Sequence, residues 1–106
     1  MDSVLIHKRY LGNCAFCGRP LGIGEEHHLL FGSDRKKADD DGLKVPICSN
    51  CHTQNEVSCR IHGNPMAEKL SKMLGQMAFE KEMALHGYDR DECRDMFQRR
   101  YKKSYL

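Results

Sequence analysis

Apolar and polar residues alternate over short runs in the first half of the chain and settle into helical spacing in the second. Residues 26–31, from Glu26 to Phe31, suit a short strand. Leu43-Lys44-Val45-Pro46-Ile47 alternates and reads as a second strand, with Pro46 placing it at a sheet edge or a strand end. Between them, Gly32 to Gly42 is polar and charged and reads as an exposed loop. Residues 1–13 pair a short apolar start with a polar middle, enough for a brief strand or helical turn. Arg19-Pro20-Leu21-Gly22-Ile23-Gly24 is too rich in Pro and Gly for a helix.

Beyond residue 47 a helix opens at Cys48-Ser49-Asn50-Cys51 and carries His52, with no clear stop. His62-Gly63-Asn64-Pro65 is a break, with Pro65 suited to the first position of the next helix. The strongest helix spans 66–86, where Met66, Leu70, Met73, Leu74, Met77 and Leu85 fall near helical spacing and His86-Gly87 ends it. Tyr88 to Tyr101 forms another, with Asp89 and Glu92 at capping-box spacing and Cys93, Met96, Phe97 and Tyr101 as its buried stripe.

These elements describe one small α+β domain of 106 residues, whose core is limited enough for a metal staple to matter. The formal net charge is only +2, so overall charge does not identify a nucleic-acid partner. Its distribution is more informative: Arg35-Lys36-Lys37 and Arg99-Arg100-Tyr101-Lys102-Lys103 are local basic clusters, though such runs are often plain solvated surface. No segment is apolar enough to span a bilayer, and the first residues lack the long apolar centre of a signal peptide. The expected location is therefore the cytoplasm, where six cysteines point to metal or redox chemistry rather than disulfides.

The cysteines have metal-ligand spacing. Cys14-Ala-Phe-Cys17 and Cys48-Ser-Asn-Cys51 are two knuckles separated by thirty residues. Four thiolates complete a tetrahedral Zn²⁺ shell and leave no position for substrate, so this would be a structural site. Two unrelated buried or redox-active pairs are the plainer alternative; no thioredoxin-like βαβ pattern surrounds either pair. Cys59 and Cys93 are left over and read as packed thiols. Inside the clamped span lies His27-His28, whose side chains would point to opposite faces of a strand. His52 follows the second knuckle and can meet a strand histidine across a ββα unit.

Glu25-Glu26-His27-His28-Leu29-Leu30, then Asp41 through Val45-Pro46-Ile47-Cys48, then Ser49-Asn50-Cys51-His52 resemble an HNH endonuclease with the ββα-metal fold. The resemblance covers residues 14–65 and is closest to small phage-type members that also carry a four-cysteine zinc; the helical residues 66–106 add nothing to it. It implies that His28 is the general base and that His27 and His52 hold a divalent catalytic metal: Mg²⁺, Mn²⁺ or another first-row ion. It implies cleavage of DNA phosphodiester bonds to 5′-phosphate and 3′-hydroxyl ends. The family's middle Asn has no obvious counterpart; Asp41 matches best, with Asp40 and Asp39 as rivals. A further metal ligand is open between His62 and Glu56, His62 ranking first because Gly63 lets the chain fold back. Glu25 and Glu26 read as exposed, with a ligand role for either as the lesser alternative.

The resemblance turns Arg35, Lys36, Lys37, Arg99, Arg100, Lys102 and Lys103 into candidate phosphate contacts. No stretch is a base-reading module, so either sequence specificity is low or a partner protein supplies targeting. The resemblance would place the chain in a bacterial or phage-infected cell. A catalytically inactive, zinc-stapled DNA-binding module is the competing function.

Overall fold

A computed structural model describes residues 1–22 and 25–106; Ile23 and Gly24, the end of the Pro- and Gly-rich segment, lie outside the described residues. It is a small α+β structure. Strand β1 (Glu25–His28) pairs antiparallel with β2 (Lys44–Ile47) in a two-stranded sheet. The register sets His27 opposite Val45 and Glu26 opposite Pro46. The Pro46 carbonyl accepts the Ala15 N–H at 2.9 Å, which ties the first knuckle to β2.

The segment between the strands is not the exposed loop that its polarity predicts. A 3₁₀ turn (Gly32–Asp34) leads into helix α1 (Arg35–Asp40), which buries one residue, Ala38. Arg, Lys and Ala are good helix formers, and one inward alanine is too little to register as an apolar stripe. The helix returns the chain to β2 through Leu43, whose N–H bonds the Ala38 carbonyl and whose carbonyl accepts from Leu29.

After β2 the expected helix is a single π-type turn (Asn50–Gln54), followed by a 3₁₀ turn (Val57–Cys59). Helix α2 (Pro65–Leu85) then starts where the sequence predicts. Asn64 caps it by accepting the Ala67 N–H, with Pro65 in the first turn. Helix α3 (Arg90–Tyr101) has the predicted capping box, with Asp89 and Glu92 each accepting the other's N–H. No helix is long and apolar enough to cross a membrane among the described residues.

Two buried clusters hold these pieces together. One joins Leu30, Ala38 and Leu43 to Phe79, Phe97 and Tyr101, and so packs α1 and the strand ends against α2 and α3. The other, Cys14, Ile47, Cys48 and Ile61, surrounds the knuckles. Gly75 lets α2 approach the chain after β1: a Cβ there would lie 3.1 Å from Leu29 Cβ and 3.2 Å from Leu30 Cγ. Gln76 is fully buried and fully used. Its amide donates to Glu80 and Ser104, and its oxygen accepts the Tyr105 N–H at 2.6 Å.

The stripe that marks α2 in the sequence is not the face it packs. Met66, Leu70, Leu74, Met77 and Leu85 are exposed, while Ser71, Gly75, Gln76 and Phe79 face inward. Helix α3 does bury Cys93, Phe97 and Tyr101 as its pattern predicts. Cys59 is the other exception: it is exposed in its turn rather than packed.

Asp41, at the end of α1, accepts from Arg100 Nε at 2.6 Å and from the Tyr101 hydroxyl at 2.5 Å. Burial and this carboxylate push the Tyr101 hydroxyl pKa up, so it remains a donor. The pair fastens α3 to the strand connection. Asp41→Ala would strand a buried Tyr101 hydroxyl and should lower unfolding stability by about 2 kcal/mol. Urea denaturation should show that loss without any change in bound zinc.

Candidate metal centres

The two Cys-x-x-Cys knuckles converge. One sulfur from each of Cys14, Cys17, Cys48 and Cys51 lies within 4.8 Å of the other three. Local backbone bonds build the first knuckle: Cys14 N–H to the Arg19 carbonyl and Gly18 N–H to the Cys14 carbonyl, with Gly18 at φ +78°. The second sits where β2 runs into the π-type turn, and His52 N–H bonds the Cys48 carbonyl. Cys17 Sγ and Cys48 Sγ are 3.8 Å apart. That is the edge of a tetrahedron with Zn–S bonds of about 2.3 Å.

The thiols are electrostatically divided. Burial pushes Cys14 up, but N–H groups of Cys17, Cys48 and Phe16 outweigh it and bring its pKa down to about 6. Burial and the neighbouring thiols push Cys51 up. Crowded sulfurs resist ionising together, and a bound cation is what allows four thiolates at this spacing. The four cysteines are placed to bind a metal ion, consistent with structural zinc.

A second cluster lies beside the first. His27 comes from β1, His52 from the π-type turn and His62 from the loop before α2; one nitrogen from each lies within 4.8 Å of the others. Their ring centroids are 4.7–5.3 Å apart. Backbone pairing produces the meeting. Ile61 N–H bonds the Cys51 carbonyl and His62 N–H bonds the His52 carbonyl, so the 51–62 loop closes on itself. Arg60 braces it by donating to the carbonyls of His62 and Asn55. Gly63, at φ +85°, then turns the chain into α2. Glu56 is exposed and stands outside this cluster.

Each imidazole is held by its outer nitrogen. Ser71 Oγ donates to the Leu29 carbonyl at 2.9 Å. A hydroxyl has one proton, so its 2.8 Å contact with His27 Nε2 requires Nε2 to be the donor. The neutral ring then carries its lone pair on Nδ1, the one buried side-chain nitrogen or oxygen without a hydrogen-bond partner among the described residues. Burial, followed by the nearby His62, His52 and His28, brings the His27 pKa down to about 3, so the ring stays neutral. His52 Nδ1 meets Glu25 Oε2 at 2.7 Å, and His62 Nδ1 meets Glu68 Oε2 at 3.3 Å. Those contacts leave Nε2 of each ring free of the carboxylates. The His52 hydrogen bond holds the Glu25 carboxyl below its usual range; the Gly63 N–H, then His62, do the same for Glu68. Carboxylates and hydroxyls holding the outer nitrogens are what orient metal-binding histidines.

His28 lies on the opposite face of β1 from His27, as strand alternation requires. It is buried, and its Nε2 meets Asp39 Oδ1 at 2.9 Å. Lys44 Nζ also reaches Asp39 Oδ1 at 2.9 Å. Lys44, then His28, hold the Asp39 pKa down to about 2. The carboxylate beside the histidine pair is thus Asp39 rather than Asp41, which the Arg100 and Tyr101 contacts hold on α3. Glu26 completes a group with His28 and Asp39, but Lys44 sits 3.5 Å from Glu26 and already supplies the cation.

The two basic clusters come together in space. Lys37, Arg99 and Arg100 line one shallow groove where α1 meets α3. Lys37 donates to the Arg100 carbonyl and Arg100 pairs with Asp41, so both are partly committed to the fold. Lys36 and Arg99 make loose surface pairs with Asp40 and Asp95. Arg35, Lys102 and Lys103 are exposed with no ion pair among the described residues. Ser71 and Glu68 had no sequence signal as site residues, because a serine or a glutamate inside a helix is commonplace. Glu25 is exposed, as its sequence reading has it, and its carboxylate also braces His52.

Cys48→Ser should abolish tight zinc retention and cooperative unfolding, because a structural zinc contributes folding free energy directly. Metal analysis alongside thermal melts will show it. Ser71→Ala should keep one zinc on the cysteines and weaken metal binding at the histidines by about 10–100-fold. Competition with a chelating dye measures that change.

Comparison of the chain with family models, with curated proteins and with solved structures finds no match.

Proposed function

We propose that this protein is a metal-dependent DNA endonuclease of the HNH type, with β1, β2 and the histidine-bearing turn acting as a ββα-metal core. The observation that carries the reading is the convergence of His27, His52 and His62 on one face of β1, with His28 the next residue along the strand. Each of the three rings is held by its outer nitrogen, and the His27 lone pair is buried without a partner. A buried imidazole nitrogen without a partner has a free-energy cost that a metal ligand bond would remove.

His27 Nδ1 and Nε2 of His52 and His62 would hold the catalytic ion. When bound, that ion would neutralise the scissile phosphate and the charge developing on the leaving 3′ oxygen. A donor set of three neutral imidazoles suits Zn²⁺, Ni²⁺ or Mn²⁺ better than Mg²⁺, which prefers oxygen ligands.

His28 is the general base. Asp39 holds its Nε2, which leaves Nδ1 to take the proton from the attacking water as the water oxygen bonds to phosphorus. The Asp39 carboxylate then stabilises the imidazolium, and Lys44 holds that carboxylate in position. The phosphorus–O3′ bond breaks, giving 5′-phosphate and 3′-hydroxyl ends. Arg35, Arg99, Lys102 and Lys103 are the cations best placed to meet backbone phosphates, because Lys37 and Arg100 are already engaged. Such contacts carry no base readout, so nicking or double-strand cleavage of low sequence specificity is expected.

Plasmid DNA incubated with the protein and added Mn²⁺, Ni²⁺, Zn²⁺ or Mg²⁺ tests the proposal. The expected result is nicked or linear product, lowered by about 10²–10⁴-fold in His28→Ala, which should still bind both metals. A wild-type protein that binds DNA but stays inert with every ion would sink the nuclease reading and leave the zinc-stapled binding module.

A further inference from the structure

Helix α2 has two working faces. The inner one carries Ser71 and Glu68, which hold His27 and His62, and packs Gly75 and Phe79 into the core. The outer one should be polar in a monomer. Instead Met66 is 66% exposed, Leu70 61%, Leu74 41%, Met77 56% and Leu85 73%. A run of large apolar side chains along a whole helix is more than scattered surface hydrophobics.

We infer that this face of α2 is the interface of a homodimer in which two α2 helices pack antiparallel about a two-fold axis near Leu74 and Met77. Three features favour a second copy of this chain as the occupant. First, the area fits: the five side chains expose on the order of 500 Å² per copy, so pairing would bury about 1,000 Å², the lower bound for a specific interface.

Second, the surface is complementary to itself. An apolar groove of about 400 Å³ flanks the first half of α2, with Ala67, Leu70 and Leu74 in its wall. A groove of about 370 Å³ flanks the second half, with Leu74, Ala78 and Leu85 in its wall. The two share Leu74 and lie on the same side of the helix. An antiparallel two-fold sets Met66 and Leu70 of one copy over the second groove of the other, and Met77 and Leu85 over the first. That is ridge-into-groove packing, and because it is isologous it closes at two copies.

Third, charge does not oppose it. Lys81 lies within the stripe, Glu82 edges the second groove and Arg60 the first; the Lys81 stem can lie on the apolar surface while its ammonium reaches water. Ser71 borders the first groove, but its hydroxyl is turned inward to His27 and the Leu29 carbonyl, so each copy keeps its own histidine cluster. The inference does not depend on what that cluster catalyses.

Sedimentation equilibrium of the zinc-loaded wild type should give twice the 12.2 kDa of one chain at high micromolar concentration. Leu70→Glu with Met77→Glu should weaken self-association by about 100-fold or more, because it places like charges in the buried centre. Both residues are exposed, so circular dichroism and zinc content should not change. Tyr10→Glu, an exposed aromatic in a different groove, should leave the dimer intact. A wild type that stays monomeric at every concentration overturns the inference, as does a dimer that survives the double substitution.

Discussion

Two antiparallel strands of four residues each cannot hold a precise site unaided. The constraint on which the structure depends is the four-cysteine clamp. It draws residues 14–17 against residues 48–51, and the Ala15 bond to Pro46 continues that grip into β2. Fixing the end of β2 fixes the π-type turn that carries His52. The pairing of residues 51 and 52 with 61 and 62 then brings in His62. The histidine cluster is therefore downstream of the cysteines in a mechanical sense: its geometry is inherited from theirs.

The second support comes from the other side. Helix α2 reaches across to β1 through Ser71, one hydroxyl serving both the Leu29 carbonyl and His27 Nε2. This single proton fixes the His27 tautomer and leaves its lone pair on the partnerless Nδ1. Gly75, one turn on, allows the approach, and Asp41 with Arg100 and Tyr101 anchors α3 behind it. The sheet thus holds the histidines between the four-cysteine cluster and a helix.

Much of this was legible in the sequence because it rests on spacing. The two knuckles, the alternation that sends His27 and His28 to opposite faces, and the Asn64-Pro65 and Asp89-Glu92 helix starts are local signals with local causes. Long-range packing left no such trace. Helix α1 buries only Ala38, so its pattern looks like loop. The helix expected at Cys48 stops after one π-type turn, because the chain must turn back to pair residue 62 with residue 52. Asp39 and Asp41 differ by two positions in a run of acids, and only the docking of α3 shows that Asp41 belongs to Arg100 and Tyr101. Periodicity identified α2 correctly but could not say which face was inward, since its polar Ser71 and Gln76 are the buried ones.

Two clusters of different chemistry lie side by side in one short chain, a closed set of four sulfurs and a set of three imidazoles, and each could hold a metal ion. X-ray absorption at the zinc edge, on protein loaded with one and then two equivalents, tests it most directly. The expected result is an all-sulfur shell at about 2.3 Å for the first equivalent, and an added nitrogen and oxygen shell at about 2.0–2.1 Å for the second. A second equivalent that is not retained, or a mixed sulfur–nitrogen shell from the first, would contradict it.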